Sequence, residues 1–247
     1  MGLWVDLQYY VLRKAYPRSS NPLPEKITDH SKLSLLGAGL QSAIRGKIVI
    51  DFGCGKGEEA IEMARMGALR VTGVDIQDAY LEIARERAAT AGFADQCTFV
   101  TATSEAADVI TSIDAFEHFD DPAAILRMMF SLLKPGGEVL LSFGPTWFHP
   151  LGGHLFSVFP WAHVLFAEEA LIRWRSDFKS DGARRFSEVA GGLNRMTLRR
   201  FEQLVSESGF RAIELECVPI RKVWRVHARL TREFTTAVCR GRLRKPA

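Results

Sequence analysis

The stretch Val49-Ile50-Asp51-Phe52-Gly53-Cys54-Gly55-Lys56-Gly57 decides how this chain is read. An apolar run from Ile48 to Ile50 ends in an acid, three glycines follow at alternate positions, and Glu58 to Met66 has the pattern of a helix. Strand, tight turn and helix start, in that order, are where doubly wound α/β sheets hold a nucleotide. Glycine belongs where the backbone takes positive φ or lies close against a ligand. The dinucleotide form of the motif, G-x-G-x-x-G, rests a pyrophosphate on the helix N-terminus. Here Glu58 stands where that pattern wants its third glycine, and Asp51 sits at the mouth of the loop. Two carboxylates repel a pyrophosphate and suit a ligand that carries an amino group and a sulfonium.

With that charge, the loop resembles D/E-x-G-x-G-x-G, the first motif of the class I S-adenosylmethionine-dependent methyltransferases. The resemblance implies that Asp51 and the backbone of Gly53, Gly55 and Gly57 hold the methionine moiety of the cofactor. It extends over about residues 45–145. Leu69 to Val74 reads as a second strand and closes in Gly73-Val74-Asp75-Ile76. Asp75 lies about 20 residues past the loop, where Rossmann-type folds place the acid that accepts both ribose hydroxyls. Ile76 would then lie against the adenine face. Cys97 to Thr101 reads as a third strand, and Thr103 and Ser104 fall where the family contacts adenine, although many members carry Asp at the place of Thr103. Asp108 to Asp114 reads as a fourth strand. Leu132-Leu133-Lys134-Pro135-Gly136-Gly137, a turn frequent in the same family, precedes a fifth strand from Glu138 to Phe143.

Composition sets wider bounds. The chain has 247 residues, 47% apolar and 25% charged, as in an ordinary soluble globular protein. Cys54, Cys97, Cys217 and Cys239 are scattered without a C-x-x-C pair, so neither a zinc site nor a disulfide framework is indicated and a cytoplasmic compartment is expected. Leu3 to Leu12 is apolar but interrupted by Asp6 and Gln8, so it reads as neither a signal peptide nor a bilayer span. A lid or packing helix is the favoured reading. A membrane-surface helix, anchored by Trp4, Tyr9, Tyr10 and Tyr16 with Arg13, Lys14 and Arg18, is the alternative. Residues 221–247 hold nine Lys or Arg against one Glu, which leaves the first 220 residues net negative. That tail suggests an anionic partner. The partly alternating run Thr236 to Leu243 favours instead the solvent face of a last antiparallel strand, and nucleic acid is not expected as a partner.

In this fold the end of the fourth strand, with Asp114, Phe116, Glu117 and His118, faces the transferred methyl, and the resemblance places Asp114 among the cofactor residues. An oxygen acceptor must lose a proton to a base or to a metal-lowered pKa. His118 is the first candidate for that base, with a neutral pocket histidine as the alternative, and Glu117 and His154 complete the catalytic candidates. Asp114-x-x-Glu117-His118 is also similar to the E-x-x-E-H cluster of ubiquinone-pathway O-methyltransferases and small-RNA 2′-O-methyltransferases. In those families it binds a divalent metal, and His149 or His154 would add a ligand. No metal site is assigned on this basis, since Asp replaces the first Glu and metal-free relatives share the Glu-His pair. Residues 146–196 hold nine of the 25 aromatics and three of the six histidines, enough to mark an acceptor-binding insertion. His149, Asn194 and Arg195 are its substrate-binding candidates.

The expected fold is α/β. It has a Rossmann-like doubly wound sheet of about seven strands, mostly parallel with a C-terminal antiparallel pair, plus an inserted helical and aromatic lid. One methyltransferase domain would span residues 1–247. Its parts are an N-terminal helical lid (1–44), a cofactor-binding core (45–145), the acceptor-binding insertion (146–196), and a C-terminal helix and strands with the basic tail (197–247). The resemblance implies methyl transfer from S-adenosyl-L-methionine to a small-molecule or glycan-like acceptor, at oxygen. The alternatives are an RNA or protein methyltransferase using the basic tail, and a non-catalytic S-adenosylmethionine-binding module. The oligomeric state is not legible.

Overall fold

β1 (Ile48–Phe52) is buried on both faces and is an inner strand, third in the order of a seven-stranded sheet. Its neighbours are β2 (Arg70–Val74), then β3 (Cys97–Val100) on one side, and β4 (Ala107–Ile113), then β5 (Leu133–Phe143) on the other. These five are mutually parallel. Near-continuous Val, Ile and Leu runs are what parallel strands covered on both faces require. β7 (Thr236–Arg244) then runs antiparallel between β5 and β6 (Arg211–Pro219). The strand order reverses between β1 and β4, and ligands of open α/β sheets bind in the crevice at the carboxyl ends of such a pair. The computed structural model describes residues 2–16, 32–179, 182–189 and 192–247. Arg18, named above beside the N-terminal helix, lies outside them.

Alternation along the strands divides the core. Ile50, Ile110 and Leu141 face α5 (Pro122–Leu132) and α8 (Leu198–Glu207), with Phe116, Phe143 and Phe201 packed ring to ring among them. Val49, Val109 and Leu140 face α2 (Leu40–Ile44), α3 (Glu58–Arg65) and α4 (Asp78–Thr90). The starts of α5 and α8 are capped by side chains: Asp121 accepts from Ala124 N ahead of Pro122, and Thr197 accepts from Arg200 N.

A third apolar cluster belongs to the insertion. α6 (Ala162–Leu165) and α7 (Glu168–Ser176) gather Phe156, Leu171, Trp174 and Phe186 around Leu12 of α1 (Leu3–Ala15). Gln8 on α1 accepts from Ala167 N at 2.7 Å, and Tyr9 donates to Asp177. The N-terminal helix thus packs on the insertion, and many of the insertion's rings serve its own small core. The opposite stripe of α1, Leu3, Trp4, Leu7, Tyr10 and Val11, is exposed. No helix among the described residues is long and apolar enough to cross a membrane.

Two strand boundaries differ from the sequence reading by more than one residue. β1 runs on through Asp51 and Phe52, because Asp51 is still paired with Gly73 of β2 and Thr111 of β4. β5 begins at Leu133 and takes in the Lys-Pro-Gly-Gly turn, because Leu133 pairs with Ala107 and Lys245 donates to Gly137 O at 2.9 Å. The basic end of the chain is tied into the sheet. Arg242 and Arg244 both bond Glu138, Arg240 bonds Glu216 and the carbonyls of Ser34 and Leu35, and Lys245 bonds the carbonyls of Phe130 and Leu133.

Candidate active site

The glycine turn is built against its neighbours. Gly53 has φ +81°, and a side chain there would stand 2.7 Å from the Ala115 Cβ. Gly55 has φ +50° and nothing within 4 Å of where a Cβ would be, so its outer face is open. Gly57 precedes the first turn of α3. The Gly55 N–H donates to Asp75 Oδ2 at 2.9 Å, and Asp75 Oδ1 accepts from Gln77 N at 2.9 Å. One carboxylate therefore fixes both the loop after β1 and the turn after β2. Ile76 beside it is 89% exposed, an apolar side chain held in the open next to that acid. Thr103 accepts from Glu105 N in the loop after β3, and Ser104 beside it is exposed.

Asp51 is buried between β2 and β4 and accepts from Thr111 Oγ1 at 2.8 Å. Burial, with the charges of Glu59 and Asp75 adding to it against the Thr111 bond, pushes its pKa up to about 7. Glu58, which the sequence reading used as the second repelling acid, is turned away to pair with Arg87. Its place is taken by Glu59, one residue on along α3, which accepts from Lys32 N at 3.0 Å. The second acid beside Asp51 is therefore Glu59.

Asp114 leaves β4 with φ +49°, which turns it out of the strand line. Its Oδ2 meets Lys32 Nζ at 2.8 Å. Burial works to lower the pKa of that ammonium, but the bond to Asp114 and the fields of Asp114, Glu59 and Glu117 outweigh it and hold the pKa above its ordinary value. Sequence reasoning missed Lys32 entirely. It lies 82 residues from its partner and in no recognisable motif. Glu117 is 3% exposed, its Oε1 accepts from Gly144 N at 3.2 Å, and its Oε2 is buried without a hydrogen-bond partner. Burial, reinforced by Asp114, pushes its pKa up to about 8.

Gly192 and Asn194 bond to this turn. His118 Nδ1 lies 2.8 Å from Gly192 O. Asn194 donates through its amide to Phe116 O and Phe119 O, both at 2.9 Å, and its backbone N–H donates to Glu117 O at 3.0 Å. Those bonds make Asn194 a clasp for the turn, with only its buried Oδ1 left without a partner. Arg195 pairs with Glu168 and lies over the Trp147 ring at 5.3 Å. His154 meets His118 edge to face at 5.2 Å, and its buried Nε2 has no partner. Burial, with His118, His163 and His149 adding to it, lowers its pKa to about 4, and burial beside His163 does the same for His149. His149 is otherwise engaged within its own turn, accepting from Leu151 N. Glu117, Pro145, Trp147, Leu193, Arg195 and Met196 line a narrow crevice where the insertion meets the core. A cavity of about 330 Å³ lies elsewhere, between the 36–43 segment and Glu214, Glu216, Arg240 and Arg242, and none of the glycine-turn acids borders it.

Asp114, Glu117 and His118, the cluster similar to E-x-x-E-H to which no metal is assigned, do not converge on a common point. They are directed at Lys32, Gly144 and Gly192 respectively, and among the described residues no three His, Cys, Asp or Glu side chains converge as an ion's ligands. The fit to S-adenosylmethionine is better founded. The open face of Gly55, the carboxylates of Asp51, Glu59 and Asp75 around it, and the exposed Ile76 match a ligand with a cationic amino acid end, a ribose and a flat base.

These pKa values carry a prediction. An acid whose folded pKa is raised keeps a proton that the unfolded chain has released, so it loses stability as pH rises through that interval. For Asp51 and Glu117 the interval runs from their ordinary values to about 7 and 8. Histidines with lowered pKa act in the opposite direction, but only up to their ordinary value of 6.5. The opposing slopes offset each other at lower pH, and above it Cys217, whose thiol is held down to about 7 chiefly by its bond to Cys239, opposes the acids in turn. Glu117 alone should therefore cost the cofactor-free protein roughly 1 kcal/mol between about pH 6.5 and 7.5. Glu117→Gln should remove that share, so the variant's melting temperature should gain on that of the unaltered protein as pH rises through this unit. An unchanged slope in the variant would show that Glu117 is ionised when folded.

Comparison with known proteins agrees with this geometry. A family model described as a methyltransferase domain matches residues 30–215. The ubiquinone biosynthesis O-methyltransferase of Neisseria meningitidis serogroup C (strain 053442) is 44% identical over 106 residues, 40% of this chain and 44% of that protein. The chain thus spans less than half the length of the curated relatives it matches. Among solved structures, an S-adenosylmethionine-dependent methyltransferase from Mesorhizobium loti superimposes with a TM-score of 0.54 at 19% identity, covering 82% of this chain and 93% of that one. The [4+2]-cyclase SpnF does so with 0.55 at 16%, covering 82% and 76%. At those identities the likeness is one of fold, and the cyclase is a reminder that this fold also hosts other chemistry. With the strand order, the glycine turn with its acids, and a family model that spans most of its length, the chain belongs to the class I S-adenosylmethionine-dependent methyltransferases.

Proposed function

We propose that this protein methylates a hydroxyl oxygen of a small-molecule or glycan-like acceptor. The observation that carries the reading is the bond between His118 Nδ1 and Gly192 O. A carbonyl oxygen only accepts, so Nδ1 holds the ring proton and Nε2 of a neutral imidazole keeps a lone pair. S-adenosylmethionine, when bound, supplies a methyl group on a sulfonium, an already excellent leaving group. The protein's part is alignment of the acceptor and removal of its proton. His118, at the end of β4 beside the glycine turn, is placed for the second task. Glu117 is a poorer base, because with a pKa near 8 it is still largely protonated at neutral pH. Its part is to shape the floor of the crevice that Trp147 and Arg195 border. The name of the Neisseria relative, an O-methyltransferase acting in ubiquinone biosynthesis, supports oxygen and a small acceptor.

The test is to incubate the protein with methyl-labelled S-adenosylmethionine and cell extract, then separate small-molecule, glycan, lipid, protein and nucleic-acid pools. Label in a small-molecule or glycan pool, stable to conditions that cleave esters, is the expected result. Label confined to RNA or protein would overturn the reading, and label in no pool would leave a cofactor-binding module without turnover.

A further inference from the structure

The crossover from β6 to β7 has a surface that methyl transfer does not account for. The 3-10 segment Arg221–Val226 and the turn after it present Trp224 (59% exposed), Val226 (59%) and Leu230 (93%) to solvent. Interleaved with them are Arg221, Lys222, Arg225 and Arg229, all exposed and, among the described residues, without a carboxylate partner. Arg232, the next cation, is paired with Glu202, so the free charge ends there. This is not a loose loop. Thr231 Oγ1 bonds the carbonyls of Val226 and Ala228 and accepts from Ala228 N, His227 Nδ1 lies 2.8 Å from Thr235 Oγ1, and Ile220 N donates to Thr235 O. The apolar side chains are held outward by a hydrogen-bonded frame, at a cost in exposed apolar surface that folding alone does not require.

We infer that this crossover is a docking surface for an anionic lipid bilayer. Three features favour a membrane. Exposed aliphatic and indole side chains gain by entering the headgroup boundary. Four cations with no acid among residues 221–231 match an anionic leaflet. Trp224 pairs an apolar body with an N–H suited to the interface. A nucleic acid fits less well, since single strands are held by stacking on open aromatic faces. The one indole here already has Arg225 over it at 5.5 Å, and Val226 and Leu230 have no π-face to offer. The position also matters. Pro219 pairs with Thr236 and Phe143 with Cys239, so the crossover lies at the carboxyl edge of the sheet, where the catalytic turn is. Glu233 O accepts from Thr146, and Phe234 meets Phe148 at 5.6 Å, which joins the crossover to the insertion. A bilayer held there would lie beside the acceptor side of the enzyme. Docking does not depend on which acceptor the site takes.

The test uses the full chain and vesicles of phosphatidylcholine alone or with phosphatidylglycerol, read by co-sedimentation. Binding to the phosphatidylglycerol vesicles, weakened by salt, is expected, with little on phosphatidylcholine alone. Arg225→Gln with Arg229→Gln should lower the partition coefficient about tenfold or more. Trp224→Ser with Leu230→Gln should lower it as well, with melting temperature and S-adenosylhomocysteine affinity unchanged in both. Failure of the unaltered protein to bind anionic vesicles would overturn the proposal. So would binding that survives both pairs of substitutions but is lost in Trp4→Ser with Leu7→Gln, which would place the contact on α1. Binding of a single-stranded RNA oligonucleotide through Arg225 and Arg229, with no vesicle binding, would overturn it in favour of nucleic acid.

Discussion

His118→Gln should lower the rate of methyl transfer by about 10²–10⁴-fold while leaving S-adenosylhomocysteine affinity within a few-fold of the unaltered protein. Glutamine reaches far enough to keep a donor near Gly192 O, so the loop contact that His118 makes can persist. What glutamine lacks is a basic nitrogen. The lone pair on Nε2 that takes the acceptor's proton disappears, and with it the proton-transfer contribution to the barrier. Single-turnover transfer of labelled methyl separates this loss from changes in product release. A rate within a few-fold of the original would return His118 to the role of a neutral wall beside His154, and the proton would have to leave by another route. A matching loss of cofactor affinity would instead mean that the turn from Phe116 to Phe119 had moved.

The second large effect is expected at Asp75. Its two oxygens accept from Gly55 N and Gln77 N, and an ionised carboxylate has lone pairs left for two ribose hydroxyls. Asp75→Ala removes the charge-assisted partner of the ribose and leaves the Gly55 N–H without the bond that shapes the open face of the loop. Loss of one such interaction is worth roughly 1.5–3 kcal/mol, or about 10- to 150-fold in affinity. Calorimetry with S-adenosylhomocysteine measures it directly. Asp75→Asn, which keeps the volume but only one acceptor oxygen, should fall between the two. Unchanged affinity in the alanine variant would remove Asp75 from the ribose site.

The position of the glycine turn and its acids was legible because their signals are local. Asp51, the glycine turn and Asp75 are fixed by the strand, turn and helix that contain them, and β2, β3, β4 and β7 fall within a few residues of their expected bounds. Where a side chain's role depends on a distant partner, local pattern failed. Glu58 and Glu59 are indistinguishable by composition, and Arg87 on α4 decides which of them faces the turn. Lys32 enters the acidic corner from a segment with no motif. Asn194 was named as a substrate-binding candidate, and the carbonyls of Phe116 and Phe119 are what its amide bonds. The aromatic insertion was read as an acceptor-binding element with part of its aromatic stripe serving as core. Phe156, Trp174 and Phe186 are in that core, packed into the cluster that α1 completes, because a short helical pair needs a core of its own. The arginines of the last strand repeat the lesson. As bare charge they suggest an anionic partner, yet Glu138 and Glu216 opposite them account for their presence.

The claim on which the rest depends is that the corner ringed by Asp51, Glu59 and Asp75 takes a cationic nucleoside and refuses a pyrophosphate. Side-by-side calorimetric titration with S-adenosylmethionine and NAD⁺ tests it most directly. Saturable binding of S-adenosylmethionine, lost in Asp75→Ala, with no heat from NAD⁺, is the expected result. Saturable binding of NAD⁺ with none of S-adenosylmethionine would contradict the charge reading of the glycine turn and the chemistry built on it.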